Sequence, residues 1–340
     1  MRLVSLRSFS ENTRRSSVRT VLVRSIAVLL VGLVVAHVGA RLLFYEARED
    51  ETPPVAFPVG VDPARRAIAE NPDVEGYFKE YVLHEAAPAL RVNWVRRLLS
   101  KLALREWYQE LASPTGRILV ILSGERKEEV AEHFGSILGW DRVGRRTFME
   151  LVASSSPELV EGKFAPHTYL TARTASPEET ALLVIAQFQK DILSRYSSAI
   201  AEAVPLTDAL TIASLLEREG RDFEDMRQIS GIIWNRLFAG MKLQLDATLQ
   251  YAKGSRAGEP WWPAALPADK QIASTFNTYK HAGLPPAPIA NPSLEAILAA
   301  LNPKVTDCMY YFHDKDGGFH CSATYEEHVA LLKQYYGNGE

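Results

Sequence analysis

Ser25 to Tyr45 reads SIAVLLVGLVVAHVGARLLFY, and this segment constrains the rest of the chain more than any other. It is about 20 residues of almost unbroken apolar side chains, the length a helix needs to cross a bilayer. Only His37 and Arg41 interrupt it, and Arg41 lies close enough to the end for its guanidinium to snorkel toward the headgroups. Ahead of it stand Arg2, Arg7, Arg14, Arg15, Arg19 and Arg24 against a single acid, Glu11. Basic flanks stay on the cytoplasmic side. The expected layout is therefore a cytoplasmic tail over 1–24, a transmembrane helix over 25–45 in the inner membrane, and the remaining chain outside the cytoplasm. Small residues between Ala36 and Ala40 keep a cleaved signal peptide as the alternative. Glu46 to Pro58 is acidic and proline-bearing, as a linker is. Residues 46–112 are read as that linker plus an N-terminal extracytoplasmic region of helical patterns without a legible role.

The rest of the chain mixes helical and strand periods, an α+β class. Arg117 to Leu122, RILVIL, is a short apolar run bounded by Ser123 and Gly124, a strand signature. Val130, Phe134, Ile137 and Leu138 follow at helical spacing. Ser176, with Glu178 and Glu179 behind it, opens a helix expected to run from Pro177 to Ala203. From Leu206 a helix carrying Leu210, Ile212, Ala213, Leu215 and Leu216 ends at Gly220. A second, starting near Asp222 with Met226, Ile229, Ile233 and Leu237, stops at Gly240. In Lys242 to Thr248 the apolar Leu243, Leu245 and Ala247 alternate with Gln244, Asp246 and Thr248, which predicts a two-faced strand. Asn291 is the expected cap of the helix bearing Leu294, Ile297, Leu298 and Leu301, with Pro292 in its first turn. Cys308 to His313 and Phe319 to Ser322 flank a turn-forming stretch and predict a hairpin. Cys308 and Cys321 are too few for a disulfide scaffold; they can form one bridge or remain thiols. A formal net charge of -3 gives no long-range pull toward nucleic acid, which is excluded as a main partner.

The acids of LLEREG, Glu217 and Glu219, lie two apart on a helix and point in nearly opposite directions. Glu219 shares its face with Ile212, Leu215 and Leu216, the bulkier apolar side, and sits at the negative end of the helix dipole. Both features disfavour ionisation. A carboxyl that keeps its proton near neutral pH is what protonation of a glycosidic oxygen needs; the alternative is a surface acid at a helix end. Gln244, Asp246 and Thr248 can line a groove or face solvent, and Trp261 and Trp262 can stack on sugar rings or pack a loop. His313, His320, Cys321 and His328 match no standard zinc spacing, so no metal is expected.

The last third of the chain resembles the endolytic murein transglycosylase (YceG-like) family. The resemblance is carried by LTIASLLEREG (210–220), GIIWNRLFAGMKLQLDATLQYAKG (231–254), FNTYKHAGLPPAPIANP (276–292) and YYFHDKDGGFHCSATYEEH (310–328). Upstream, EGKFAPHTYL (161–170) is similar to the family's stretch before its long helix, and the strand and helix at 117–138 are similar to its small LysM-like α/β unit. The resemblance implies a LysM-like subdomain over 113–175, a catalytic domain over 176–340, and Glu219 as catalytic residue. It also implies a substrate groove built with Asn235, Gln244, Asp246, Thr248, Asn277, Tyr279 and the wall Gly283, Leu284, Pro285 and Pro286. The implied reaction cuts the bond between N-acetylmuramic acid and N-acetylglucosamine inside peptidoglycan glycan strands and leaves 1,6-anhydro ends without a cofactor. It would limit strand length at the membrane, beside the cell-wall synthases. Departures from the family pattern are Arg218 and Gly220 around the acid, Ala247 for a proline, Ala287 for a glycine and His167 for an aspartate. A silent, membrane-tethered glycan-binding scaffold and a hydrolase on the same fold are the competing readings.

Overall fold

A computed structural model describes residues 55–82, 116–155, 158–256 and 258–337; the expected transmembrane helix lies outside them. Among the described residues no helix is long and apolar enough to cross a membrane. In chain order come β1 (Val61–Asp62), β2 (Ala67–Ile68), the one-turn α1 (Val74–Tyr77), β3 (Gly116–Val120), α2 (Lys127–Leu138), α3 (Arg142–Ser154) and β4 (Thr168–Ala172). Then follow α4 (Pro177–Asp191), α5 (Ser198–Ala203), α6 (Leu206–Glu219), α7 (Phe223–Phe238), α8 (Asp246–Gly254), α9 (Leu294–Leu301), β5 (Tyr310–His313), β6 (Phe319–Ser322) and α10 (Tyr325–Tyr336).

The strand and helix expected at 117–138 form half of a β-α-α-β unit. β3 pairs antiparallel with β4, Ile118 opposite Leu170. Arg126 and Glu129 cap the start of α2, and Gly139 ends it in the left-handed conformation (φ 71°) that glycine adopts without steric cost. Asp141 caps α3 through Gly144 N–H at 2.8 Å. Leu119, Ile121, Val130, Phe134, Phe148, Val152, Phe164 and Tyr169 fill this unit, and Ala181 and Val184 of α4 close it.

A larger core surrounds α6. Its residues Ala209 through Leu216 are all buried, so the helix is enclosed on every side, not on one stripe. α9 and α7 pack beside it, with Ile229, Ile233, Ile297, Leu298 and Leu301. A side chain on Gly231 of α7 would strike the Lys304 carbonyl, so glycine there permits the close approach of the chain leaving α9. The segment from 55 to 82 belongs to this core as well: Phe57, Val61, Val74 and Tyr77 are buried in it, Gly60 N–H donates to Leu301 O at 2.9 Å, and the Phe78 and Phe223 rings stack at 4.0 Å. Part of the region without a legible role is thus a strap over the larger core.

Four local expectations change. The single helix over 177–203 breaks after Asp191: Leu193–Arg195 is a 3-10 turn and Ser197 caps the separate α5 through Ile200 N–H. Serine competes for backbone hydrogen bonds and favours a cap over a helix interior. Lys242 to Thr248 is not a strand. Leu243, Leu245 and Ala247 are buried while Gln244 and Asp246 are exposed, but no strand pairs with the segment. Gln244 takes a left-handed φ of 53°, and α8 begins at Asp246, where the helix dipole favours an acid. The cap of α9 is Ser293, which accepts from Ala296 N–H at 3.1 Å. Cys308 and Cys321 are joined as a disulfide, with their Cα atoms 5.8 Å apart across the base of the β5–β6 hairpin.

Asn291, displaced from the cap role, is fully buried and clasps the two units together. Its side chain accepts from Phe164 N–H at 3.0 Å and donates to Glu125 O at 2.8 Å. Its backbone exchanges further bonds with Gly124 and Glu125, both at 2.9 Å. Replacing Asn291 by Ala orphans the buried Phe164 N–H, a loss of about 1–3 kcal/mol. Urea unfolding of Asn291→Ala is expected to show a lower midpoint of that size with an unchanged slope.

Candidate active site

α6 is buried from Ala209 to Leu216 and meets solvent at both ends; its C-terminal turn is the end that presents two acids. Glu217, Arg218 and Glu219 are half-buried there. The two acids meet different surroundings. Glu217 accepts from Ser293 N–H at 3.0 Å and from Ser293 Oγ at 2.6 Å, and so braces the start of α9. Glu219 points to the other side. Its Oε2 accepts from the Tyr311 hydroxyl at 3.1 Å and its Oε1 from the Ala247 N–H, at the start of α8, at 3.4 Å. Desolvation raises the Glu219 pKa above the ordinary carboxylate value. The Tyr311 and Ala247 hydrogen bonds oppose that rise, the nearby Asp246 carboxylate adds to it, and His313 opposes it. The net effect favours the neutral acid.

Tyr311 and His313 alternate on β5 and therefore share a face. His313 Nε2 meets both oxygens of Asp225, at 3.1 and 2.9 Å. Asp225 also accepts from Arg221 N–H at 2.9 Å, which ties the turn after Glu219 to the hairpin. Burial first, and then the neighbouring Glu219, push the Tyr311 hydroxyl well above the usual phenol value, so it stays a donor. An open cleft of about 230 Å³ lies beside this turn, lined by Arg221, Asp222, Glu224, Asp225, Gln228 and Phe319.

The residues that the family resemblance implied separate into two groups. Asp246 and Tyr279 lie near the acid, and Gln244 lies at the surface two residues before Asp246. Tyr279 donates to Asp246 Oδ1 at 2.7 Å, and Gln244 is exposed. Thr248, Asn277 and Asn235 are braces. Thr248 is buried and shares a hydroxyl contact of 2.9 Å with Thr278. Asn277, also buried, donates to the Lys270 and Ile272 carbonyls at 3.1 and 2.9 Å. Asn235 donates to Thr306 O and Cys308 O at 2.8 and 3.2 Å and steadies the entry to β5. Gly283 is left-handed (φ 83°), Leu284 packs against the larger core, Pro285 is buried and Pro286 is exposed. Their loop ends at Ile289, whose N–H donates to Ser214 Oγ on α6 at 3.0 Å.

Trp262 packs between guanidinium groups, with Arg126 4.4 Å and Arg218 3.9 Å from its ring centre, and donates to Glu129 at 3.0 Å. It joins the small unit to the residue next to Glu219. His320 pairs with Asp314 at 2.7 Å and Cys321 is held in the disulfide. Among the described residues no group of His, Cys, Asp and Glu is arranged to hold a metal ion.

Sequence reasoning did not single out Tyr311 or Asp225, weighed His313 only as a metal ligand, and noted Ala247 only as a departure from the family pattern. The signal within reach was the period of two on β5, which sets Tyr311 and His313 on one face.

An α+β chain with a carboxyl of raised pKa in the last turn of an enclosed helix is the class that fold and site define. Residues 95–334, well over half of the chain, match the YceG-like family, and the chain belongs to it. The endolytic murein transglycosylase of Streptococcus pneumoniae serotype 2 (strain D39 / NCTC 7466) is 29% identical over 249 residues, 68% of this chain and 44% of that protein. The endolytic murein transglycosylase of Bacillus subtilis (strain 168) is 33% identical over 177 residues, 52% of this chain and 48% of that one. The matches span about half the length of these relatives. The crystal structure of a YceG-like protein from Listeria monocytogenes covers 82% of this chain and 98% of its own at a TM-score of 0.56 and 24% identity, a likeness of fold.

A carboxyl whose folded pKa is raised binds its proton more tightly in the folded than in the unfolded chain. It therefore costs stability as pH climbs from the ordinary carboxylate range through the raised value. Glu219→Gln cannot ionise. Its melting temperature is expected to exceed that of the wild type at neutral pH, and the gap to close as pH falls to about 4. Equal gaps at both pH values would contradict the raised pKa.

Proposed function

We propose that this chain is an endolytic peptidoglycan lytic transglycosylase with Glu219 as its acid/base. The observation that carries the reading is the Glu219 carboxyl itself, held by Tyr311 and Ala247, its pKa raised by burial, at the C-terminal end of α6. Membership of the YceG-like family and the names of the relatives support it.

In the proposed reaction Glu219 gives its proton to the oxygen joining N-acetylmuramic acid to N-acetylglucosamine, and that bond breaks. The C6 hydroxyl of the muramic acid closes on the anomeric carbon, and the ionised Glu219 takes the hydroxyl proton. No water is consumed, the product ends in a 1,6-anhydro ring, and Glu219 regains its starting state. One carboxyl suffices because the second nucleophile belongs to the substrate. Asp246 is near enough to raise the Glu219 pKa, and a pair of carboxylates is the equipment of a hydrolase. That observation keeps hydrolysis as the second reading, although Asp246 already accepts the Tyr279 hydroxyl at 2.7 Å.

The wider setting belongs to the same proposal. The β-α-α-β unit is read as a LysM-like module, supported by its two antiparallel strands around two helices. The chain is read as a single-pass protein of the inner membrane, with residues 1–24 inside and the catalytic region outside. The apolar run 25–45 supports this, and so does the Cys308–Cys321 bridge, since disulfides persist in oxidising compartments. Its partners would be peptidoglycan strands and the synthases that extend them, with the enzyme ending strand elongation.

Mass spectrometry of products from uncrosslinked glycan strands tests the reading, with wild type beside Glu219→Gln. Internal fragments with anhydro ends from the wild type, and a loss of at least about 100-fold in the variant, are expected. Products heavier by one water would establish the hydrolase. Absence of cleavage by the wild type would leave a glycan-binding scaffold.

A further inference from the structure

Glu219 is a long side chain at a helix end, and its reach alone does not determine how its carboxyl is oriented. Two donors fix it. The Tyr311 hydroxyl is the closer, 3.1 Å from Oε2, while the Ala247 N–H is 3.4 Å from Oε1. Both can donate to a carboxylate oxygen or to the carbonyl oxygen of the neutral acid, and the phenol can also accept from a carboxyl O–H, so Tyr311 keeps its grip in both protonation states.

Tyr311 is itself held firmly. The hairpin that carries it is closed by Cys308–Cys321. Arg236 of α7 donates to the Met309 carbonyl at 2.6 Å, just ahead of β5. His313, on the same face of β5, is fastened to Asp225. The Phe319 ring of β6 stacks on the Tyr311 ring at 5.9 Å. Such a network brings a fixed donor to the acid and leaves little conformational freedom to lose during the reaction.

We propose that Tyr311 is a positioning residue for the reaction: its hydroxyl pins the Glu219 carboxyl through Oε2 and so fixes the orientation from which that carboxyl gives up the proton and takes it back. The inference rests on the acid/base role of Glu219 argued above. Oε1 faces the N-terminus of α8, whose partial positive charge favours the carboxylate left after donation. The charged and titratable groups around Glu219 are Tyr311 and His313 from β5, Asp246 from α8, and Tyr279, while Arg236 and Asp225 from α7 act on Tyr311. Among these, Tyr311 donates a hydrogen bond directly to the carboxyl and stabilises its ionised form.

Tyr311→Phe keeps the ring and its packing and removes only the donor. Two measurements on the full chain in detergent test the proposal. The first is the pH dependence of kcat and KM on uncrosslinked strands. The variant is expected to lose about 10- to 100-fold in kcat with KM nearly unchanged. The alkaline limb of its kcat profile should move up by about one pH unit, because the ionised form has lost a donor. The second is a 13C titration of the Glu219 carboxyl, assigned by its absence in Glu219→Gln; it should show the same upward move without any substrate. Phe148→Leu, in the core of the β-α-α-β unit away from the acid, should lower stability and shift neither curve. If Tyr311→Phe leaves the Glu219 titration where it was, or if Phe148→Leu moves it as far, the positioning role is overturned. A wild type that does not cleave strands, with a titration that still moves in Tyr311→Phe, would refute the proposed function and uphold the contact.

Discussion

Burial of α6 on all sides is the condition on which the rest of the molecule depends. A helix enclosed from Ala209 to Leu216 meets solvent through its end turns alone, and Glu219 lies in the last of them. α8 with the Ala247 N–H and β5 with Tyr311 and His313 come to that end from far along the chain, and Asp225 comes from the first turn of α7, next in sequence. The same burial recruits Phe57, Val61, Val74 and Tyr77 from the N-terminal side, because one helix wrapped on all sides needs more apolar cover than its immediate neighbours supply.

The electrostatics of Glu219 follow from its position half in and half out. Full enclosure without partners would make the acid too weak to release a proton, and full exposure would leave it ionised. Desolvation is countered here by two hydrogen bonds. An acid that must donate and then recover a proton is served by such a balance. Asp246 and His313 act on it with opposite signs, so the position of the balance depends on the hairpin and on the start of α8 together.

What could be read from the sequence was what is decided locally. Ser176 as a cap, α6 ending at Gly220, Asp222 opening α7 and the β5–β6 hairpin each depend on a few adjacent residues. Misreadings fell where distant contacts overrode local pattern. Leu243, Leu245 and Ala247 are buried at alternate positions, yet no strand lies beside them, and alternation alone cannot tell a ladder from a lone extended segment. Asn291 has the composition of a cap, but the distant Phe164 and Glu125 claim its amide. Glu219 was singled out by its helical phase, although the phase argument was incomplete: Leu210, Ala213 and Ser214 on the Glu217 side are equally buried. The two acids differ because Glu217 meets Ser293 and Glu219 meets Tyr311, and pairings across such separations leave no mark in spacing.

The clasp at Asn291 also has a mechanical consequence. The chain from Pro288 to Asn291 touches Gly162 of the small unit, Ser214 on α6 and the loop at Gly124 and Glu125. A load on the small unit is therefore shared with α6 through these contacts, as a dowel shares load between two joined boards.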